Sequence, residues 1–171
     1  MYVNLGDPSK ENREEKIEIH SYDANNVDVT LAHIIAPLLM QLKEVRRGAP
    51  FVDSDDVPIE LQMTDEELTE FTAEGNTDTK WFDRWDYIIG EMIFAFQSKL
   101  EDWDEQFKSG EDDLNFVKIT DKKYENDEEL YTLVHGPNHT RKYDVKEIEK
   151  YQARMTNGFR LFGKYYESLW D

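Results

Sequence analysis

The sequence contains no cysteine, which excludes disulfides, zinc sites built from thiolates and cysteine nucleophiles. It also lacks an apolar run of about 18 residues, and its first residues, MYVNLGDPSKENREEK, are too polar for a signal peptide. We therefore expect no membrane association and a cytosolic location. Basic residues are scarce, with 20 Lys and Arg against 38 Asp and Glu, and the net charge is −18. Direct nucleic-acid binding is disfavoured, because phosphate binding calls for a basic surface.

The negative charge is concentrated in the first two thirds of the chain. Residues 1–113 hold 28 acids and 10 bases, whereas residues 114–171 are neutral overall. Ten acids and no base occur between Arg47 and Lys80. Such a surface either keeps the protein in solution or is shaped for a basic partner, for example as a mimic of the DNA backbone.

Aromatic residues make up 13 % of the chain, and disordered acidic chains are poor in them, so we expect a folded protein. The length of 171 residues suggests one domain, residues 1–171, with residues 1–15 loosely held. Apolar spacing predicts long helices over 28–47, 80–108 and 145–170. Thr64 and Glu67 form a capping-box pattern, which predicts a short helix over 65–73. Gly158 and Gly163 lie inside the last helix, where another helix or a ligand could approach closely.

Short β-like runs occupy residues 114–143, between the last two long helices. The runs NFVKI, ELYTLV and RKY alternate with turn-rich sequence, which predicts an antiparallel hairpin or a three-stranded meander. The predicted fold is therefore mainly α: a bundle of three long helices and one short helix, with a small β insertion before the C-terminal helix.

Catalytic signatures are absent, including phosphate-binding glycine loops, nucleophile elbows and the HExxH zinc motif. His135 and His139 are four residues apart, but a Gly-Pro turn separates them. Carboxylates such as Asp86 and Glu91 allow a metal-dependent nucleotide hydrolase as one alternative. No motif implies a cofactor, and we expect binding rather than catalysis.

The scarce bases are more informative than the acids, because several of them lie beside aromatic residues. Arginine and aromatic side chains together can hold an anionic, stacked ligand such as a nucleotide. Alternatively, each base pairs with a nearby carboxylate, such as Arg84 with Asp83 or Asp86. The candidate ligand-binding residues are Lys43, Arg47, Arg84, Trp85, Arg160, Lys164 and Tyr165.

Three stretches occur together: TLAHIIAPLLMQLKEVRRGAPFVDSDDVP, RWDYIIGEMIFAF and NGFRLFGKYYESLWD. In order and spacing they resemble a family of small, largely uncharacterised proteins of tailed bacteriophages. The resemblance implies a viral protein in the cytoplasm of a host bacterium, and it supplies no activity. Small phage proteins without enzyme motifs often act by binding host machinery or signalling molecules.

Four hypotheses follow from the sequence. The first is a non-catalytic phage protein that counteracts host antiviral defence by sequestering an anionic nucleotide-type ligand, with a pocket repeated in a homo-oligomer. The second is an acidic DNA-mimic decoy that blocks a basic host protein. The third is the metal-dependent hydrolase, and the fourth is a component of the virion.

Overall fold

The computed structural model describes residues 1–119 and 130–170, and these contain four α-helices and three antiparallel strand pairs. The helices are α1 (Val27–Val45), α2 (Asp65–Glu74), α3 (Trp81–Ser98) and α4 (Val145–Lys164). The strands are β1 (Tyr2–Asn4), β2 (Lys16–Glu18), β3 (Lys108–Ser109), β4 (Leu114–Lys118), β5 (Tyr131–His135) and β6 (Lys142–Tyr143). The predicted mainly α class is confirmed.

The chain forms two compact units, one from residues 1–102 and 152–171 and one from residues 103–151. The second unit corresponds to the predicted β insertion and its flanks, so the single domain over residues 1–171 stays a prediction. Residues 1–15, expected to be loose, include β1, which pairs with β2. No helix in residues 1–119 and 130–170 has the length and apolar character of a membrane span.

The core of the first unit is built around α3. Trp85, Ile88, Ile89 and Met92 follow helical spacing and are fully buried. On α1, Ala32, Ala36 and Leu39 face this core, and α1 and α3 pack along their length. A bundle of three long helices is not confirmed, because extensive backbone contact between long helices of the described residues is seen for α1 and α3 alone.

The predicted end of α3 at residue 108 is wrong, since the helix ends at Ser98. Four acids follow between residues 101 and 105, and negative charge is unfavourable in the last turns of a helix. The aromatic residues that extended the apolar pattern pack elsewhere. Trp103 stacks on Tyr151, with centroids 4.9 Å apart, and Phe107 packs against the edge of the same ring.

The ends of the other helices agree with local capping rules only in part. The capping box is confirmed, because Thr64 Oγ1 accepts from the Glu67 amide and Glu67 Oε2 accepts from the Thr64 amide. For α1, Asn26 is the N-cap and Asp28 lies in the first turn. At the end of α1, Gly48 does not adopt the left-handed conformation of a glycine cap, because only Gly6, Gly75 and Gly110 have positive φ among the described glycines. Gly75 terminates α2 instead, at φ 73°.

The β segment forms a hairpin rather than a meander. In β4 and β5, Phe116 pairs with Leu133, and the ladder spans five residues on each side. The third predicted strand, β6, pairs with β3 instead, which makes a separate two-stranded ladder. The connection predicted for residues 120–128 lies outside the described residues.

The two glycines of α4 have opposite surroundings, which provides a matched test of helix packing. A Cβ on Gly158 would overlap the Glu91 carbonyl oxygen and lie 2.6 Å from Ala95 Cβ, whereas a Cβ on Gly163 would meet nothing within 4 Å. We expect Gly158→Ala to cost about 1–3 kcal/mol in the free energy of unfolding, because the helices must separate. We expect Gly163→Ala to gain up to about 1 kcal/mol from helix propensity.

Urea titration followed by circular dichroism measures both effects. A Gly158→Ala protein as stable as the wild type would contradict the close crossing of α3 and α4.

Candidate functional site

Three of the seven predicted site residues converge on one carboxylate, that of Asp56. Arg160 Nη2 donates to Asp56 Oδ1 at 2.6 Å, and Lys164 Nζ donates to Oδ2 at 2.5 Å. The hydroxyl of Tyr165 donates to the same Oδ2 at 2.7 Å. We call these four residues the Asp56 cluster. Its cations and its tyrosine are therefore bound to a carboxylate of the protein itself.

Local structure explains why Asp56 is buried and its partners face it. Asp56 ends a 3-10 turn that starts at Ser54, and the apolar residues Val52 and Val57 anchor both sides of this turn in the core. Tyr165 Oη also accepts from the Asp53 amide at 3.1 Å, which fixes the start of the turn. The partners come from one stretch of α4 and the residue after it, because residues four apart share a helix face.

The Asp56 cluster has a defined charge state. Burial by itself would raise the pKa of Asp56, but hydrogen bonds from Lys164, Tyr165 and Arg160 outweigh it and hold the pKa below its usual value. Burial, followed by the hydrogen bond to Asp56, raises the pKa of Tyr165 to about 12. Bonds to Asp53 and Asp56 raise the pKa of Lys164. At neutral pH the carboxylate is ionised, the lysine is charged and the phenol is neutral, so none of the three is poised for proton transfer.

Arg84 and Trp85 lie inside the first unit rather than in a cleft. Arg84 is 1 % exposed; its guanidinium pairs with Asp78, and its Nε donates to the Leu61 carbonyl at 2.6 Å. Burial alone would raise the pKa of Asp78, but the bond from Arg84 reverses this and lowers it. Trp85 is fully buried and meets the edge of Tyr165, with ring centroids 5.8 Å apart. Its ring is therefore closed to a stacking ligand in this structure.

The two remaining predicted residues lie at the end of α1. Lys43 Nζ donates to the Asp86 carbonyl at 3.2 Å, which links α1 to α3. Arg47 is exposed. Lys43 is therefore directed at α3 rather than at the Asp56 cluster.

The acids proposed for a metal centre are engaged by arginine. Glu91 is buried, and Arg154 binds both of its carboxylate oxygens. Nη2 donates to Oε1 at 2.7 Å, and Nε donates to Oε1 and Oε2 at 3.1 and 3.0 Å. Asp86 pairs with Arg46. In the part of the chain that the structure describes, no group of three or more His, Asp or Glu side chains is placed to hold a metal ion.

Sequence reasoning missed the partners of these bases. It considered carboxylates nearby in the chain, whereas Asp56 lies 104 residues from Arg160 and 108 from Lys164. Among the ten acids between Arg47 and Lys80, only one local signal marks Asp56. It directly precedes Val57, the second apolar residue that buries the turn.

No protein family matches the sequence, and no curated protein or solved structure is significantly similar to it. The resemblance to tailed-bacteriophage proteins therefore stays a prediction from the three motifs. The arrangement of the site residues points to a structural role for the Asp56 cluster, which holds the turn at Ser54–Asp56 against α4.

Replacing Asp56 tests this role. We expect Asp56→Asn to lower the free energy of unfolding by about 2–3 kcal/mol, because it leaves two cations and a phenol without their common acceptor. The loss is below that for a fully buried pair, since about half of the Arg160 side chain is exposed and can be hydrated. Asp55→Asn, at the exposed neighbouring position, should change stability by less than about 0.5 kcal/mol.

The effect should also depend on pH. Because the pKa of Asp56 is lowered by folding, its contribution is complete above the unfolded value near 3.8 and is lost as pH falls through the folded value. Urea titrations at pH 7 and pH 3 should therefore give a smaller difference between wild type and Asp56→Asn at the lower pH. Equal stability of the two proteins at pH 7 would contradict a structural role for Asp56.

Proposed function

We propose that this chain acts by binding a basic protein partner, as an acidic decoy for a DNA-binding protein. The contact surface we infer, called the acidic surface, consists of exposed carboxylates within residues 55–74: Asp55, Glu60, Asp65, Glu66, Glu70 and Glu74. If the chain comes from a tailed bacteriophage, as its motifs predict, the partner is a DNA-binding protein of the host.

One observation carries this proposal: three arginines of the first unit are paired with carboxylates that lie outside the acidic surface. Arg84, Arg154 and Arg160 each pair with a buried or half-buried carboxylate. Within the described residues, no ion pair engages any member of the acidic surface. The negative potential of this region is therefore available to a partner.

Helix α2 holds its carboxylates on a fixed frame. Its capping box fixes the first turn, and Phe71 anchors the opposite side by stacking on Phe51 and packing against Trp81, at 5.2 and 5.1 Å between ring centroids. Four members of the acidic surface occur in its ten residues, which span about 15 Å. On average this is about one charge per 4 Å along the helix, similar to the roughly 3.4 Å per charge along one strand of DNA.

Binding of this kind should compete with DNA and weaken with salt, because both ligands offer closely spaced negative charge to the same basic site. We expect the protein, added at low salt to a bacterial lysate bound on DNA-cellulose, to elute one or a few DNA-binding proteins. We expect elution to fall steeply between about 50 and 200 mM salt. Mass spectrometry identifies what is eluted.

The matched variants remove equal charge from two places. Glu66→Gln with Glu70→Gln and Glu74→Gln should abolish elution; Glu67 is kept because its side chain caps α2. Glu11→Gln with Glu14→Gln and Glu15→Gln removes the same charge from the exposed N-terminal segment and should leave elution unchanged. If both triple variants elute alike, net charge rather than the acidic surface is responsible, and the proposal fails.

The nucleotide-sequestration hypothesis makes an opposite prediction, since it assigns Arg160, Lys164 and Tyr165 to a phosphorylated ligand. These groups are bound to Asp56, so a phosphate would have to displace a buried carboxylate from them. We therefore expect cyclic and linear nucleotides at millimolar concentration to leave the melting temperature unchanged in a thermal-shift assay. A concentration-dependent rise, lost in Lys164→Ala, would favour sequestration over the decoy.

A further inference from the structure

Helix α1 has a second apolar face that the first unit covers only in part, since Ile35 and Leu42 pack against the core at its edge. Its members recur at alternating steps of four and three residues, and we call them the α1 seam: Leu31, Ile35, Leu38, Leu42 and Val45. Three of them are large and exposed, with Leu31 at 44 %, Leu38 at 58 % and Val45 at 48 %. The buried face of α1 is a different one, formed by Ala32, Ala36 and Leu39.

The middle of the α1 seam, Ile35, Leu38 and Leu42, forms one wall of an apolar groove together with Leu39. The other wall consists of Phe162 at the end of α4, with Tyr166 and Leu169 after it, and the groove has a volume of about 430 Å³. Tyr166 is itself 64 % exposed. A contiguous apolar patch of this kind is typical of a protein–protein contact.

The seam is also uncharged, although charged residues make up 34 % of the chain. Residues 29–42 contain no Asp, Glu, Lys or Arg. A basic partner attracted by the net charge of −18 would find no complementary side chain among residues 29–42. The seam is instead complementary to another uncharged apolar helix. Apolar residues spaced alternately four and three apart pack best against a helix whose apolar residues have the same spacing.

We propose that a second copy of this chain covers the groove, through antiparallel contact of the two α1 seams about a two-fold axis near Leu38. A two-fold contact places the same patch of both copies face to face. The α1 seam of one copy therefore has to fit only the α1 seam of the other. The antiparallel arrangement sets the Leu31 end of one seam against the Val45 end of the other. It also opposes the two helix macrodipoles, which favours the pair.

The available surface is large enough for a stable dimer. The 19 residues of α1 extend over about 28 Å. Together, α1 and the adjoining end of α4 form a surface that is two helices, or about 20 Å, wide. Each copy thus presents up to about 560 Å², and two copies bury up to about 1,100 Å². This value exceeds the roughly 1,000 Å² expected of a specific interface.

Mass measurement in solution tests the dimer and its surface. With a chain of 20.3 kDa, light scattering after gel filtration at about 50 µM should give about 41 kDa for the wild type. Leu38→Glu should raise the dissociation constant of the dimer at least about 30-fold and give a monomer. The two-fold axis would bring the new carboxylates of both copies together in the buried contact. Ile59→Glu, at a position that is 76 % exposed and outside the groove, should remain a dimer.

The absence of cysteine makes the register testable by disulfide formation. Leu38→Cys should cross-link to itself under mild oxidation, and a mixture of Leu31→Cys and Val45→Cys proteins should form the mixed disulfide. A wild-type monomer at 50 µM, a Leu38→Glu dimer with an intact circular-dichroism spectrum, or efficient self-linkage of Val45→Cys would each overturn the proposal.

The dimer is independent of the acidic-surface proposal, and salt separates the two. Screening reduces repulsion between two copies of charge −18, so dimerisation should strengthen as salt rises from 50 to 500 mM, whereas partner binding through carboxylates should weaken. Dimerisation that weakens with salt would contradict an uncharged seam as the contact.

Discussion

The buried carboxylate of Asp56 joins two parts of the chain that are more than 100 residues apart. It lies in the connection between α1 and α2, and it is satisfied by side chains at the end of α4. A carboxylate with this little contact with water is tolerated only when its partners are in place, because an unpaired buried charge costs several kcal/mol. The turn at Ser54–Asp56 and the C-terminal segment therefore fold together, and this coupling also positions the acids that follow Asp56.

The same logic divides the charges of the first unit into two groups. Asp56, Asp78 and Glu91 are buried or half-buried, and each is held by an arginine. The exposed acids outnumber the remaining bases, so the outward surface is strongly negative. These three acids and the four bases that hold them, Arg84, Arg154, Arg160 and Lys164, nearly cancel, so the net charge of −18 lies on the remaining residues.

Sequence reasoning succeeded where the determinants are local. The capping box at Thr64, the spacing of apolar residues on α3 and the hairpin strands all depend on residues close together in the chain. It failed where tertiary contacts decide: Trp103 extends the apolar period of α3 but packs on Tyr151. Likewise, no local pattern distinguishes Asp56 from Asp55 strongly, and an apolar residue such as Leu38 looks like core although it is exposed.

The segment between Arg47 and Lys80 has a practical consequence for mapping any complex. It contains ten carboxylates and no internal Lys or Arg, so trypsin releases it as one peptide, Gly48–Lys80. Chemical labelling of carboxyl groups before digestion would then report the whole acidic surface from a single mass-spectrometric species. Asp56 and Asp78, shielded by arginine, serve as internal standards for unlabelled sites within that same peptide.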